Sequence, residues 1–113
     1  MKKMVICTVC IMVMACASDN EEELFGKMFC GEEAHSLADD ITPIINANCA
    51  IPACHSGIQA PNLSSAQLIM NNASRIRSVT QSGVMPPASS GKDLSDAQIQ
   101  AIACWVDSGA PNN

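Results

Sequence analysis

The chain has few large side chains with which to build a hydrophobic core. Its 113 residues include one Trp, two Phe and no Tyr, although 48% of the residues are apolar. A core this small usually needs a disulfide, a metal or another support, and seven cysteines are present. The length allows one domain, which excludes large enzyme domains, doubly wound sheets and multispanning membrane proteins. Nucleic-acid binding is also disfavoured, because a chain with a net charge of −5 repels phosphate.

The first fifteen residues are typical of a secretory signal. Two lysines precede an apolar stretch, residues 4–15, that suits a signal peptide and is too short to span a bilayer. A small residue, Ala15, stands directly before Cys16, and this arrangement resembles the lipobox of bacterial lipoproteins. We therefore expect residues 1–15 to be a lipoprotein signal peptide, cleaved before Cys16, whose thiol becomes the lipid anchor. An ordinary signal peptide cut near Ala17 is the alternative.

An acidic segment follows the expected cleavage site. Cleavage removes two of the six basic residues and none of the eleven acidic ones, so the mature chain has a net charge of −7. Residues 16–33 include a run of acidic side chains at 21–23, which is typical of a flexible tether rather than of a core. The acidic run after Cys16 also resembles the export signals of some Gram-negative surface lipoproteins. The resemblance implies a Gram-negative cell-envelope lipoprotein, on the periplasmic side or the outer-membrane surface, attached to the membrane through Cys16.

Four cysteines remain outside the leader and the anchor, and two of them lie in a segment with a specific chemistry. The segment runs Cys49-Ala-Ile-Pro-Ala-Cys54-His55. Two thiols followed directly by a histidine are typical of c-type haem attachment, in which the thiols add across the vinyl groups and the histidine lies beneath the iron. The usual spacing is two residues and here it is four, so the additional residues must bulge away from the ring. Pro52 suits such a bend.

Two other uses of this segment stay open. Cys49 and Cys54 could form a plain disulfide, which export favours. Alternatively, both thiolates could hold zinc with His55, and with His35 as a further ligand. Zinc needs reduced thiolates, and the adjacent Cys54 and His55 are awkward partners on one tetrahedral ion. We therefore expect haem attachment, with a non-haem structural or metal-binding module as the alternative.

Short helical segments surround the motif. Thr42 and Pro43 suit the N-cap and the first position of a helix that ends before the motif. After the motif, Ser64 or Ser65 begins a second helical stretch, and residues 75–79 predict a third, shorter one.

The last helix has the clearest boundaries. Ser95 and Gln98 match a capping box, Gly109 ends the helix and Pro111 prevents its return. Before this helix, the two prolines in residues 83–87 favour an extended loop. Apolar side chains recur at helical spacing at Ile99, Ile102, Ala103 and Val106.

The order of these features resembles a small class I cytochrome c domain over residues 39–113. It is most similar to the cytochrome c-like domains of bacterial envelope lipoproteins, and no single motif is sufficient for the resemblance. The matching segments are 41–45, Cys49, Cys54 and His55, 85–87, 94–99 and 105–111. The resemblance implies an all-α fold, in which residues 34–113 form a small cytochrome c-like helical domain wrapped around one covalently attached haem c.

The resemblance also implies a role for each site residue. Cys49 and Cys54 correspond to the thioether cysteines, and His55 to the proximal ligand of the iron. The distal ligand corresponds to Met85, which precedes two prolines in the loop before the last helix. Ligation by histidine and methionine raises the reduction potential, as expected for an electron carrier. His35 is the competing distal candidate, and a bis-histidine site would lower the potential.

Cys30 and Cys104 are the two cysteines that belong to neither the signal peptide, the lipid anchor nor the haem-attachment motif. An even remainder favours a disulfide between them, which would pin the tether to the last helix and stabilise the domain by about 2–5 kcal/mol through loop entropy. The alternative is that one or both stay buried or pair between molecules. Trp105, near Cys104, is expected to be a core residue.

The expected function is that of a membrane-tethered, monohaem c-type cytochrome that exchanges single electrons with an unidentified redox partner. Such a protein transforms no substrate and is not an enzyme by itself, although it could be a subunit of a larger redox enzyme. A variant of this hypothesis keeps the haem but releases Met85, which would give a gas or redox sensor. The acidic charge suggests a partner with a basic face. The sequence gives no indication of the oligomeric state.

Overall fold

The computed structural model of the protein describes Cys30, Gly31 and residues 34–113. The predicted signal peptide, the Cys16 lipid anchor and the rest of the predicted tether lie outside the described residues. Within them the chain is helical and has no strand, which confirms the predicted all-α fold. No helix in this part of the chain combines the length and the apolar character needed to cross a membrane. The elements are a π-helical turn over Leu37–Ile41, α1 over Thr42–Asn48, α2 over Ala66–Asn71, α3 over Ala73–Gln81, a 3₁₀ turn over Ala88–Ser90 and α4 over Asp96–Asp107.

The first helical segment begins one turn earlier than predicted. Ser36 caps the π-helical turn, and Thr42, expected to be the N-cap, lies inside the helix, so that prediction is wrong. In a regular α-helix the ring of Pro43 would clash with the carbonyl four residues earlier. The wider π turn, in which the Thr42 N–H donates to the Leu37 carbonyl, avoids this clash. The additional turn also buries Leu37 and Ile41 in the core.

Two helices, α2 and α3, follow the motif loop, and a single residue, Asn72, separates them. The Ser65 hydroxyl caps α2, as predicted. Helix α3 is longer than the predicted segment 75–79, because Ala73, Ile76 and Thr80 lie on one face and are all buried. Thr80 is the buried polar side chain of the described residues, and its hydroxyl donates to the Ile76 carbonyl at 2.8 Å. Its burial therefore leaves no unpaired hydroxyl in the core.

Helix α4 has the boundaries that the capping box predicts. The Ser95 hydroxyl accepts a hydrogen bond from the Gln98 N–H at 3.2 Å, and the Gln98 side chain accepts one from the Ser95 N–H at 3.0 Å. Gly109, with a φ of 99°, follows the helix end. Trp105 is fully buried, and its indole N–H donates to the Pro111 carbonyl at 3.0 Å. Trp105 is therefore a core residue, as expected.

The core is closed by α4, which packs on α3 and on the π-helical turn. An ion pair between Arg77 and Asp107 joins α3 to α4. A disulfide between Cys30 and Cys104, with their Cα atoms 5.3 Å apart, joins the chain before the domain to α4. The largest fully buried apolar side chains are Trp105, Leu37, Ile41, Ile45, Ile69 and Ile102.

Replacing Ser95 by Ala should destabilise the domain by about 1 kcal/mol, because α4 loses its side-chain cap. Chemical denaturation followed by circular dichroism measures the change. Ser74→Ala, at an exposed position on α3, is the matched control and should leave the denaturation midpoint near that of the wild type. Equal midpoints for the two variants would contradict the role given to the capping box.

Candidate cofactor site

The loop that follows α1 brings Cys49 and His55 together. Cys49 is the C-cap of α1, and its N–H donates to the Ile45 carbonyl at 2.8 Å. The His55 N–H donates to the Cys49 carbonyl at 3.0 Å, and the Leu63 N–H donates to the His55 carbonyl at 2.8 Å. Backbone hydrogen bonds to the preceding and the following chain therefore fix the position of the histidine.

The imidazole of His55 is oriented by one hydrogen bond. Its Nδ1 lies 2.9 Å from the carbonyl oxygen of Pro61. Because a carbonyl can only accept, Nδ1 is the protonated nitrogen, and the neutral ring keeps a lone pair on Nε2. A histidine whose other ring nitrogen is held in this way is oriented to bind a metal ion through Nε2.

The four residues between Cys49 and Cys54 contain a tight turn. The Cys54 N–H donates to the Ile51 carbonyl at 3.0 Å, which leaves Pro52 and Ala53 at the two central positions. Ala53 has a φ of 69°. A proline followed by a residue with positive φ is the pattern of a type II turn. Pro52 and Ala53 are both exposed, so the additional residues bulge outward as the spacing predicts.

An apolar cleft opens beside this loop. Its cavity volume is about 160 Å³. A neighbouring cleft of about 80 Å³ shares Cys49, His55 and Met85 with the first. These three residues therefore lie where the two clefts meet. Aliphatic side chains make up much of the wall of the larger cleft, namely Leu63, Ile76, Val79 and Val84.

Met85 reaches both clefts from the loop between α3 and α4. Its N–H donates to the Val79 carbonyl at 3.0 Å, which ties the loop to α3. Pro86 and Pro87 follow directly and restrict the backbone beside it. The partly buried Met85 thus lines the same space as His55. That the two residues are ligands of one iron stays a prediction.

Other potential ligands lie elsewhere. His35 lines neither of these clefts, and its Nδ1 is 3.8 Å from a carboxylate oxygen of Asp40. Met70 packs against the hydrophobic core. Within the part of the chain that the structure describes, no three side chains of His, Cys, Asp or Glu are grouped closely enough to hold a metal ion. The zinc alternative therefore gains no support from the geometry of the described residues.

The two thiols of the motif differ in their environment. Cys49 is 8% exposed, Cys54 is partly exposed, and both are unpaired. Burial, together with the nearby Cys54 thiol, raises the pKa of Cys49 to about 11. The Cys49 thiol is therefore protonated at neutral pH. Its conversion to a thioether would leave no ionisable group in this buried position.

Two features of the site were not predicted from the sequence. Arg75 lines the larger cleft, and the Pro61 carbonyl orients His55. The spacing of Arg75 and Val79, four residues apart on one helix, is a pattern that could have indicated a shared face. A backbone carbonyl has no such pattern, because its direction depends on the path of the whole loop.

Comparison with known proteins identifies a family. The family model described as cytochrome c oxidase, cbb3-type, subunit III matches residues 36–106. This span is more than half of the 113-residue chain and includes the motif loop, Met85 and most of α4. Comparison with curated proteins and with solved structures gives no significant match.

Proposed function

Because the chain belongs to the family of cbb3-type cytochrome c oxidase subunit III, we propose that it is a membrane-tethered monohaem cytochrome of the cell envelope. The family itself gives the coarser statement: the chain is a small class I cytochrome c-like domain that binds haem and carries electrons. As a carrier it transforms no substrate by itself. The proposal adds the axial ligands, the covalent attachment, the single haem and the tether.

The observation that supports the proposal most strongly is the convergence of Cys49, His55 and Met85 on one apolar cleft. Cys54 lines the neighbouring cleft. Together these residues offer two thiols, an imidazole with a free Nε2 and a thioether sulfur. This donor set fits haem c, which needs two thiols for its vinyl groups and two axial ligands for its iron. The aliphatic wall suits the faces of a large apolar ring.

Bound haem would supply reversible one-electron chemistry at its iron. His55 would hold the iron through Nε2, while the Pro61 carbonyl keeps the imidazole in one tautomer and one orientation. Met85 would also hold the iron, through its thioether sulfur, which would favour the ferrous state. Pro86 and Pro87 stiffen the backbone beside Met85, so little conformational entropy is lost when its side chain is held.

Arg75 would compensate the negative charge of the haem propionates. It is the one charged side chain among the residues that line these two clefts. Arg77, two positions along the same helix, is instead paired with Asp107. A guanidinium beside a carboxylate makes charge-assisted hydrogen bonds, and its positive charge near the iron favours the ferrous state.

The tether would hold the domain at the membrane through a lipid on Cys16. The disulfide between Cys30 and Cys104 would tie the end of the tether to α4. Its Cα–Cα distance of 5.3 Å lies within the range for disulfides, and an exported protein meets an oxidising environment.

The surface near the cleft offers an apolar contact to a redox partner. Among the described residues, the exposed large apolar side chains are Ile58, in the motif loop, and Val84, beside Met85. No acidic residue lines either of the two clefts. A basic partner would therefore be attracted by acidic side chains elsewhere in the chain rather than by the cleft. The family description names an oxidase subunit, so a larger oxidase is a candidate partner.

The wild-type chain, expressed with c-type maturation machinery, should retain one haem per chain after denaturation. The pyridine haemochrome spectrum measures the covalently bound haem. The double variant Cys49→Ala/Cys54→Ala should retain none, because it has no thiol in the motif. A wild type without covalent haem would overturn the proposal and favour the disulfide or zinc module. A double variant that retains covalent haem would overturn the role given to the two thiols.

Met85→Leu should abolish the sulfur-to-iron band of the ferric protein and lower the midpoint potential, because the thioether ligand is lost. Visible spectroscopy and redox titration measure the two effects. Met70→Leu, at a methionine that packs against the core, is the control and should keep both properties. An unchanged spectrum for Met85→Leu would move the distal ligand to His35 or elsewhere.

Arg75→Gln should lower the midpoint potential by about 30–60 mV, a three- to tenfold change in the ferric–ferrous equilibrium of a one-electron couple. The reason is the loss of a positive charge beside the haem. Arg77→Gln removes the same charge from the same helix outside the cleft, and its potential should stay near that of the wild type. Equal shifts in the two variants would show that Arg75 has no specific contact with the propionates.

A further inference from the structure

Cys49 and Cys54 are separated by two residues more than is usual for haem attachment, and a turn accommodates the difference. Pro52 and Ala53 form its centre, and the hydrogen bond from the Cys54 N–H to the Ile51 carbonyl, at 3.0 Å, closes it. The distance between the two thiols therefore depends on whether the spacer keeps this turn.

The turn places Ala53 in a disfavoured backbone conformation. Its φ of 69° lies in the left-handed region, where glycine is tolerated and a Cβ atom is disfavoured. Type II turns usually have glycine at this position for the same reason. A residue with a side chain stays in such a conformation only where neighbouring contacts hold it there.

Gln59 supplies two of those contacts. Its side-chain Nε2 donates to the Ala53 carbonyl at 2.9 Å, and its backbone N–H donates to the Cys54 carbonyl at 3.0 Å. Gln59 also lines the smaller cleft together with Cys54. The residue thus connects the strained turn to the segment that follows His55.

We propose that Gln59 is a positioning residue for the covalent attachment of haem. It acts by holding the four-residue spacer in the turn that presents Cys54 to the smaller cleft. This inference rests on the proposed function. In the attachment step the Cys54 S–H adds across a vinyl double bond: a C–S bond forms at one carbon and the thiol hydrogen ends on the other. The addition consumes no oxidant and no reductant. Gln59 takes no part in that chemistry and acts only through the turn.

The first test compares two glutamine variants. Gln59→Leu keeps the bulk of the side chain and loses the hydrogen bond to Ala53. Gln67→Leu, on α2, loses a side-chain hydrogen bond to Asn71 of the same length, 2.9 Å, far along the chain from the motif. The fraction of chains that carry haem is measured by intact mass under denaturing conditions. We expect Gln59→Leu to lower the ratio of haem-bearing to haem-free chains by about two- to tenfold and Gln67→Leu to leave it unchanged.

Two further variants separate positioning from general stability. Ala53→Gly removes the penalty on the positive φ, so in the Gln59→Leu background it should restore haem attachment. Deletion of Ile51 and Pro52 restores the usual spacing of two residues and removes the turn. In that shortened chain Gln59→Leu should have no effect on the haem-bearing fraction.

The outcomes of these tests decide whether Gln59 positions the spacer. Equal haem fractions for Gln59→Leu and Gln67→Leu would overturn it and leave the proposed function intact. A loss of equal size in the shortened chain would also overturn it, since Gln59 would then act on the fold in general. If the shortened chain accepts no haem, failure of Ala53→Gly to rescue the Gln59→Leu variant would overturn it. A wild type without covalent haem would overturn the proposed function as well.

Discussion

The hydrogen bond between His55 Nδ1 and the Pro61 carbonyl is the contact on which the rest of the site depends, because it leaves Nε2 free. Its geometry is set by the core. The Leu63 N–H donates to the His55 carbonyl, and Leu63 is buried, so the loop that contains Pro61 is held at both ends. On the other side of the motif, the Cys49 carbonyl accepts from the His55 N–H. Contacts with the end of α1 and with the core therefore fix the position of the imidazole.

The hydrophobic core is small, and an apolar cleft lies open beside it. One side of it is built from aliphatic side chains around Trp105, and the aromatic content of the chain is only 3%. The apolar cleft between the motif loop and α3 is the part that the chain leaves open. A bound haem would cover the partly exposed Val79 on its wall and add the apolar area that few aromatic residues provide. A haem bound there would be part of the fold as well as the means of electron transfer.

The two candidate ligands could be found from the sequence because they lie in recognisable patterns. The cysteine–histidine motif and the methionine before two prolines indicated His55 and Met85, and both line one cleft. The capping box likewise gave the start of α4. The π-helical turn could not be predicted, because it depends on the burial of Leu37 and Ile41 against the distant α4. The hydrogen bond from Gln59 to Ala53 was missed for a related reason: it depends on the path of an exposed loop.

The proton NMR spectrum of the ferrous protein shows whether Met85 ligates the haem iron. A methionine that ligates haem iron places its methyl group over the ring, where the ring current shifts the methyl resonance far upfield. We expect one such three-proton resonance, assigned to Met85 by its absence from Met85→Leu and its persistence in Met70→Leu. A haem-loaded, low-spin ferrous protein without this resonance would contradict the claim that His55 and Met85 hold the iron between them.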